Sequence, residues 1–226
     1  KVGISTSLVD VEVFNIEAGE TPEDQGWLLE FWSDWKLDGT DNPIFPTRGA
    51  YLKISGVVAP PGLISEVPYT AVQVDLAAFR PFVAGSIVTG RLRTGVGTPL
   101  GDAEDILVTR RFYAGGFNTM RGYRRRELGP QDSESNPRGG QSTLLAGAET
   151  RFPLFWLFDG AVFLDAGQVW RETGQTNLGD LAAAWGLALD LRTPIGPLRL
   201  NHARNIANRR PGEPKVLWSF GIGYPW

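Results

Sequence analysis

A two-residue rhythm runs through most of this chain and restricts its fold more than any other feature. Between Trp27 and Leu37, Trp27, Leu29, Phe31 and Trp35 are apolar, with Ser33 the one interruption, while Glu30, Asp34 and Lys36 fall between them. An extended strand sends two such sets to opposite faces. The same reading holds for Val72, Val74 and Leu76 around Gln73 and Asp75, and for Val88, Leu92 and Val96 around Arg91 and Arg93. It holds again for Trp185, Leu187, Leu189 and Leu191 around Asp190 and Arg192, and for Leu198 and Leu200 around Arg199 and Asn201. Amphipathic helical patterns are lacking. About ten strands are predicted, near 2–17, 26–37, 48–58, 67–80, 83–97, 141–153, 158–170, 181–193, 196–207 and 214–226.

Strands of this length suit a tilted crossing of a bilayer, which takes roughly 9–11 residues. No apolar run approaches the ~18 residues of a membrane helix, but lipid-facing and lumen-facing side chains in a barrel average out, so modest hydropathy does not count against one. Turns at one end are short and rich in proline and glycine: Arg80-Pro81-Phe82, Pro194-Ile195-Gly196-Pro197 and the segment 42–49. Connections at the other end, 171–180, 204–213 and above all 98–140, are longer and more polar. That asymmetry is expected of an outer-membrane barrel. Aromatics gather near strand ends, among them Trp27, Trp35, Phe79, Phe82, Phe155, Trp156, Phe158, Trp170 and Trp226, like the girdles at membrane interfaces. A soluble β-sandwich or lipocalin-like barrel also alternates, but such long strands suit it less well. The fold class expected is therefore an all-β, antiparallel transmembrane β-barrel.

Composition removes several functions. The 226 residues include no cysteine and a single histidine, His202, so neither a thiolate site nor a histidine pair can hold a metal. A net charge of −3 argues against nucleic acid as a partner. Neither a catalytic constellation nor a cofactor site emerges. The carboxylate pairs Asp10/Glu12 and Glu30/Asp34 follow the polar face, where they solvate a wet lumen. The opening Lys1-Val2-Gly3-Ile4-Ser5 does not read as a signal peptide, so an exported protein would begin further upstream.

Two motifs carry more information. The last residues place Trp218, Phe220, Ile222, Tyr224 and Trp226 on one apolar face, with Ser219 and Gly221 between them. This ending resembles the C-terminal β-signal of outer-membrane proteins, with Ser219, Gly221, Tyr224 and Trp226 at its key positions. Inside the longest loop lies Arg111-Phe112-Tyr113-Ala114-Gly115-Gly116-Phe117-Asn118-Thr119-Met120-Arg121-Gly122-Tyr123. As a phosphate loop it lacks the strand-to-helix context and any following Gly-Lys-Ser/Thr. It resembles instead the loop signature of the BamA/TamA-type superfamily of outer-membrane assembly and secretion barrels, also called the bacterial surface antigen family. Met120 departs mildly, since valine or isoleucine is commoner there. Pro46-Thr47-Arg48-Gly49, Gly147-Ala148-Glu149, Val162-Phe163-Leu164-Asp165-Ala166-Gly167 and Pro194-Ile195-Gly196-Pro197-Leu198 extend the likeness over about 45–226.

The resemblance implies a sixteen-stranded barrel of which 1–226 is the C-terminal part, with loop 98–140 folded into the lumen and the usual POTRA modules outside this chain. It also implies a loop lock. Periodicity puts Glu149, Asp165 and Phe163 on the face away from lipid, where a carboxylate is least costly. The family then implies Arg121 as their partner, reaching down from the loop, with Gly115, Gly116, Gly122 and Tyr123 shaping its approach. Arg124, Arg125 and Arg126 are read as a solvated cluster. The implied function is assembly, insertion or translocation of outer-membrane proteins through a laterally opening seam. In that reading the first and last strands pair weakly, and Gly221 and Gly223 weaken the last. A passive pore or surface-antigen barrel plugged by its loop is the alternative, and a soluble ligand-binding β-domain is a third reading. Expected partners are outer-membrane lipid and lipopolysaccharide, unfolded client proteins, and periplasmic or lipoprotein accessory subunits. The implied location is the bacterial outer membrane, with the C-terminus in the periplasm.

Overall fold

The computed structural model describes residues 2–11, 26–62, 65, 67–194, 196–210 and 212–223. Ten antiparallel strands form one sheet in sequence order: β1 (Val2–Val11), β2 (Gly26–Asp38), β3 (Gly49–Ala59), β4 (Tyr69–Pro81), β5 (Ile87–Pro99), β6 (Ser142–Phe155), β7 (Phe158–Trp170), β8 (Ala182–Leu191), β9 (Leu198–Ala207) and β10 (Val216–Ile222). Among the described residues, β1 and β10 each pair on one side only.

Most strand ends fall within two or three residues of those predicted. One clear difference is the start of β5. The apolar Val83 invites a strand from that point, but Val83–Gly85 forms a 3₁₀ turn, and Ala84 takes a left-handed φ of 55°. The Ser86 hydroxyl and amide both bond to Val83 O there, which closes the hairpin before the ladder begins. Residues 12–17 and 224–226, included in the predicted first and last strands, lie outside the described residues.

Alternation sorts the wall into two faces. One carries Val72, Leu76, Leu92, Val162, Leu164, Trp185, Leu187, Leu189, Leu200, Trp218 and Phe220, each more than a third exposed. A contiguous apolar surface of that extent needs a non-aqueous neighbour, and hydrocarbon provides one. The opposite, inner face holds Glu30, Asp75, Thr89, Glu149, Arg151, Asp165, Asp190, Arg199, Asn201 and Asn205, all buried. His202 sits on the outward face with its ring edge-on to Trp218, centroids 4.6 Å apart.

The long loop after β5 folds across the inner face instead of standing in solvent. Isolated bridges Phe112↔Gly140, Ala114↔Leu128 and Gln131↔Pro137 give it a ladder-like spine. Ala114, Met120, Tyr123 and Leu128 from the loop pack with Leu145, Val169, Ala182 and Ala184 from the wall. Met120 is fully buried there, an adaptable side chain filling the space under the loop. At the other end of the wall, the β2–β3 turn is tied by Asp41, which accepts from Thr47 N at 2.8 Å, from Arg48 N at 3.0 Å, and from the Thr47 hydroxyl. The Thr47 hydroxyl, helped by those two amides, holds the Asp41 carboxyl well below the usual carboxylate range.

Candidate functional site: a lumen ion network holding the loop

Three adjacent strands set up the site through their register. Arg91 on β5 stands opposite Gly147 on β6, which stands opposite Asp165 on β7. Because Gly147 has no side chain, Arg91 reaches across it: a Cβ at 147 would lie 2.4 Å from Arg91 Nε and 2.8 Å from Asp165 Oδ1. Two residues along, Glu149 faces Phe163, and Phe163 faces Gly186 on β8, whose missing side chain leaves room for the phenyl ring. Asp190 and Arg199 are cross-strand partners on β8 and β9.

Arg121 enters this array from the loop and is only 1% exposed. Its Nε and Nη2 donate to the two oxygens of Asp165 at 2.8 Å each, its Nη1 donates to Glu149 Oε2 at 2.5 Å, and its backbone N adds a 3.2 Å bond to Asp165 Oδ2. Its guanidinium also lies 3.6 Å from the centroid of the Phe163 ring. This combines the bidentate fork with cation–π stacking, a pairing of contacts open to arginine and not to lysine. Arg91 Nη2 supplies a second cation to Asp165 at 2.9 Å and donates to Thr119 O, so β5 grips the loop backbone as well. Arg199 holds Glu149 through Nη1 and Nη2 at 2.9 and 2.7 Å, and holds Asp190 through Nε and Nη2 at 2.5 and 2.6 Å.

The loop can present Arg121 this way because of its glycines. Gly115 and Gly122 have φ of 111° and 98°, and a Cβ on either would lie 2.2–2.3 Å from Arg124 O or Asn205 Oδ1. Thr119 closes the turn by bonding both Gly115 N and Gly115 O at 2.9 Å. Gly116 N donates to Tyr123 O at 2.9 Å.

The structure thus brings together Arg121, Glu149, Asp165 and Phe163 as one contact set, with Gly115, Gly116 and Gly122 shaping the approach. Tyr123 is buried beside them in the apolar cluster but makes no ion-network contact, and its hydroxyl has no hydrogen-bond partner among the described residues. Arg124, Arg125 and Arg126 are exposed, with Arg126 stacked at 4.9 Å over Tyr113. Ser219 accepts a 3.3 Å bond from Asn201 Nδ2, and Tyr224 and Trp226 lie outside the described residues. Sequence reasoning missed Arg91, Asp190 and Arg199 as members of the network, although alternation had put them on the polar face. It also missed a second anchor on the loop: Arg110 forks onto buried Glu30 at 2.8 and 3.1 Å, and the Tyr69 hydroxyl donates to the same carboxylate.

An outward-apolar antiparallel wall with a long loop bolted to its inner face by buried charge defines the class: a transmembrane β-barrel whose lumen holds an anchored loop. Within that class, the Omp85 superfamily domain matches residues 5–226, and the chain belongs to that superfamily. Outer membrane protein assembly factor BamA of Nitratidesulfovibrio vulgaris is 27% identical over 78% of this chain and 23% of its own length. The protein of the same name from Neisseria meningitidis serogroup B is 25% identical over 88% of this chain and 29% of its own. The sorting and assembly machinery component 50 homolog of Mus musculus is 27% identical over 83% of this chain and 35% of its own. The crystal structure of BamA from Haemophilus ducreyi lacking POTRA domains 1-3 superposes with a TM-score of 0.74 at 21% identity, over 88% of this chain and 43% of that one. The chain therefore spans less than half the length of each of these proteins.

Proposed function

We propose that this chain is the C-terminal part of a bacterial outer-membrane barrel domain that assembles or inserts other outer-membrane proteins. The observation that carries the reading is the buried fork of Arg121 on Asp165 and Glu149, since a simple pore has no need to bolt a loop to two of its strands. The names of the relatives, outer membrane protein assembly factors among them, support the same reading. In this reading the seam beside β10 opens sideways, and a client strand adds to the exposed edge by β-augmentation. Clients, lipopolysaccharide and periplasmic or lipoprotein accessory subunits are the proposed partners. No catalytic role is proposed.

The full-length protein reconstituted in liposomes should accelerate folding of a client barrel, read by heat-modifiable gel mobility. A disulfide tethering β10 to the strand that closes the barrel should abolish this and leave the barrel itself folded, with reduction restoring it. Equal client folding in the tethered form would rule out the lateral seam. A passive barrel plugged by the same loop would give no client folding in either form and would conduct ions once the loop was released.

Topology is checked separately. In this proposal the long connections 100–141, 171–181 and 208–215 face the cell exterior, the short turns face the periplasm, and so does the C-terminus. A cysteine replacing exposed Asn177 should be labelled in intact cells by an impermeant reagent, and one replacing Phe82 should be labelled only after lysis. The opposite pattern would invert the orientation.

A further inference from the structure

The loop signature contacts more than the wall. Phe117, at its tip, lies against Gly221 of β10, where an added Cβ would come within 2.7 Å of three of its ring carbons. Its neighbours reach the same hairpin. Asn205 Nδ2, on β9, donates to Gly122 O at 2.8 Å and to Pro214 O at 3.0 Å. Arg210, in the β9–β10 connection, donates from Nη2 to Glu127 O at 3.0 Å and Gly129 O at 2.6 Å. Arg199 of β9 belongs to the ion network itself.

β10 has little other support among the described residues. It is a seven-residue strand whose ladder, among the described residues, runs to β9 alone. Its outward side chains Trp218, Phe220 and Ile222 are exposed, and its inward ones are small at Ser219 and Gly221. The inner face at Gly221 is therefore covered by the loop and not by a side chain of the strand. A glycine there makes the strand weaker on its own, and the aromatic ring makes up the missing packing.

We propose that Phe117 is a positioning residue that seats the last strand, so that docking of the loop and placement of β10 are one coupled event. When β10 leaves β9, Gly221 must leave the ring. When the loop leaves the lumen, the strand loses the surface that covers its inner face. This rests on the proposal that the seam beside β10 is the working edge, but the seat can be measured without any client.

The test is amide hydrogen exchange in the full-length protein in lipid nanodiscs, read at 217–222 and compared with β4 and β5. Phe117→Ala should speed exchange in β10 about tenfold and leave β4 and β5 unchanged, with Phe117→Leu in between. The decisive readout is a reversal of sign at Gly221. With Phe117 present, Gly221→Ala collides with the ring and should speed exchange. With Phe117→Ala, the same change merely replaces glycine by a better strand former and should leave exchange unchanged or slow it. The same effect of Gly221→Ala in both backgrounds would overturn the seat, as would normal exchange in Phe117→Ala. If Gly221→Ala barrels do not fold, the Phe117 variants decide alone. Client folding, assayed in parallel, tests the assembly reading independently: a sign reversal in a protein that folds no client would leave the seat standing and remove that reading.

Discussion

Arg121→Ala is expected to give a barrel that reaches the membrane folded but has a released loop and most of the proposed assembly activity gone. Removing one member of an isolated buried ion pair typically costs ~3–5 kcal/mol, because the partner is left charged and dry. Here neither carboxylate is left alone, since Asp165 keeps Arg91 and Glu149 keeps Arg199. The stability loss should therefore fall below that range, at about 2 kcal/mol, and heat-modifiable mobility should persist. The loop loses three side-chain hydrogen bonds to the wall and its stack on Phe163, so protease or thiol reagents should now reach residues 115–125. Arg121→Lys should rescue only in part, because an ammonium cannot fork onto two carboxylates and lie flat on a ring at once. Arg125→Ala, at an exposed position on the same loop, serves as the control and should be close to silent. A loop that stays protected in Arg121→Ala would show that Arg110 and the apolar cluster hold it without the lock.

The second large effect is expected at Gly186. A Cβ there would lie 2.2 Å from His202 O across the ladder and 2.5 Å from the Phe163 ring. The carbonyl is backbone and cannot rotate away, so β8 and β9 must part locally or Phe163 must move. Overpacking of this kind typically costs ~1–3 kcal/mol. Either escape also disturbs the ring beneath the Arg121 guanidinium. Gly186→Ala should lower the yield of heat-modifiable barrel more than Arg121→Ala does. Adding Phe163→Leu should recover part of it by clearing the ring, while the carbonyl contact remains. Wild-type yield of Gly186→Ala would contradict the close approach of β7 and β9 to β8 at this position.

The wall was legible in the sequence because a strand's faces follow from a period of two, and ten alternating segments already assign Leu76, Leu187 and Asp165 to their sides. Glu149, Asp165 and Arg121 could be named because they sit in motifs that resemble a known family. Arg91, Asp190 and Arg199 sit on the same face but in no motif. Choosing them requires knowing that Arg91, Gly147 and Asp165 fall level across three strands. Register across these strands depends on the long loop between β5 and β6 and on the tight turn between β6 and β7, and alternation alone does not give it. Arg110 was hidden for a further reason: its partner Glu30 lies eighty positions away on β2. Gly221 was read as a weak point in a strand, and only the folded loop shows an aromatic ring above it.

Among the groups joined by ion pairs in the network, the strands are one positive charge short without the loop. The strands alone contribute Arg91 and Arg199 against Glu149, Asp165 and Asp190, and Arg121 brings the remaining positive charge. Before the loop docks, Glu149 and Asp165 on the bare wall thus form a seat for the Arg121 fork. That seat exists only once β6 and β7 are aligned, because sliding either strand by a single residue turns its acidic side chain out toward lipid. Arg121 therefore reads the alignment of β6 and β7 in a single binding event: a misregistered pair offers it no two-carboxylate seat, and loop docking is expected to follow their alignment.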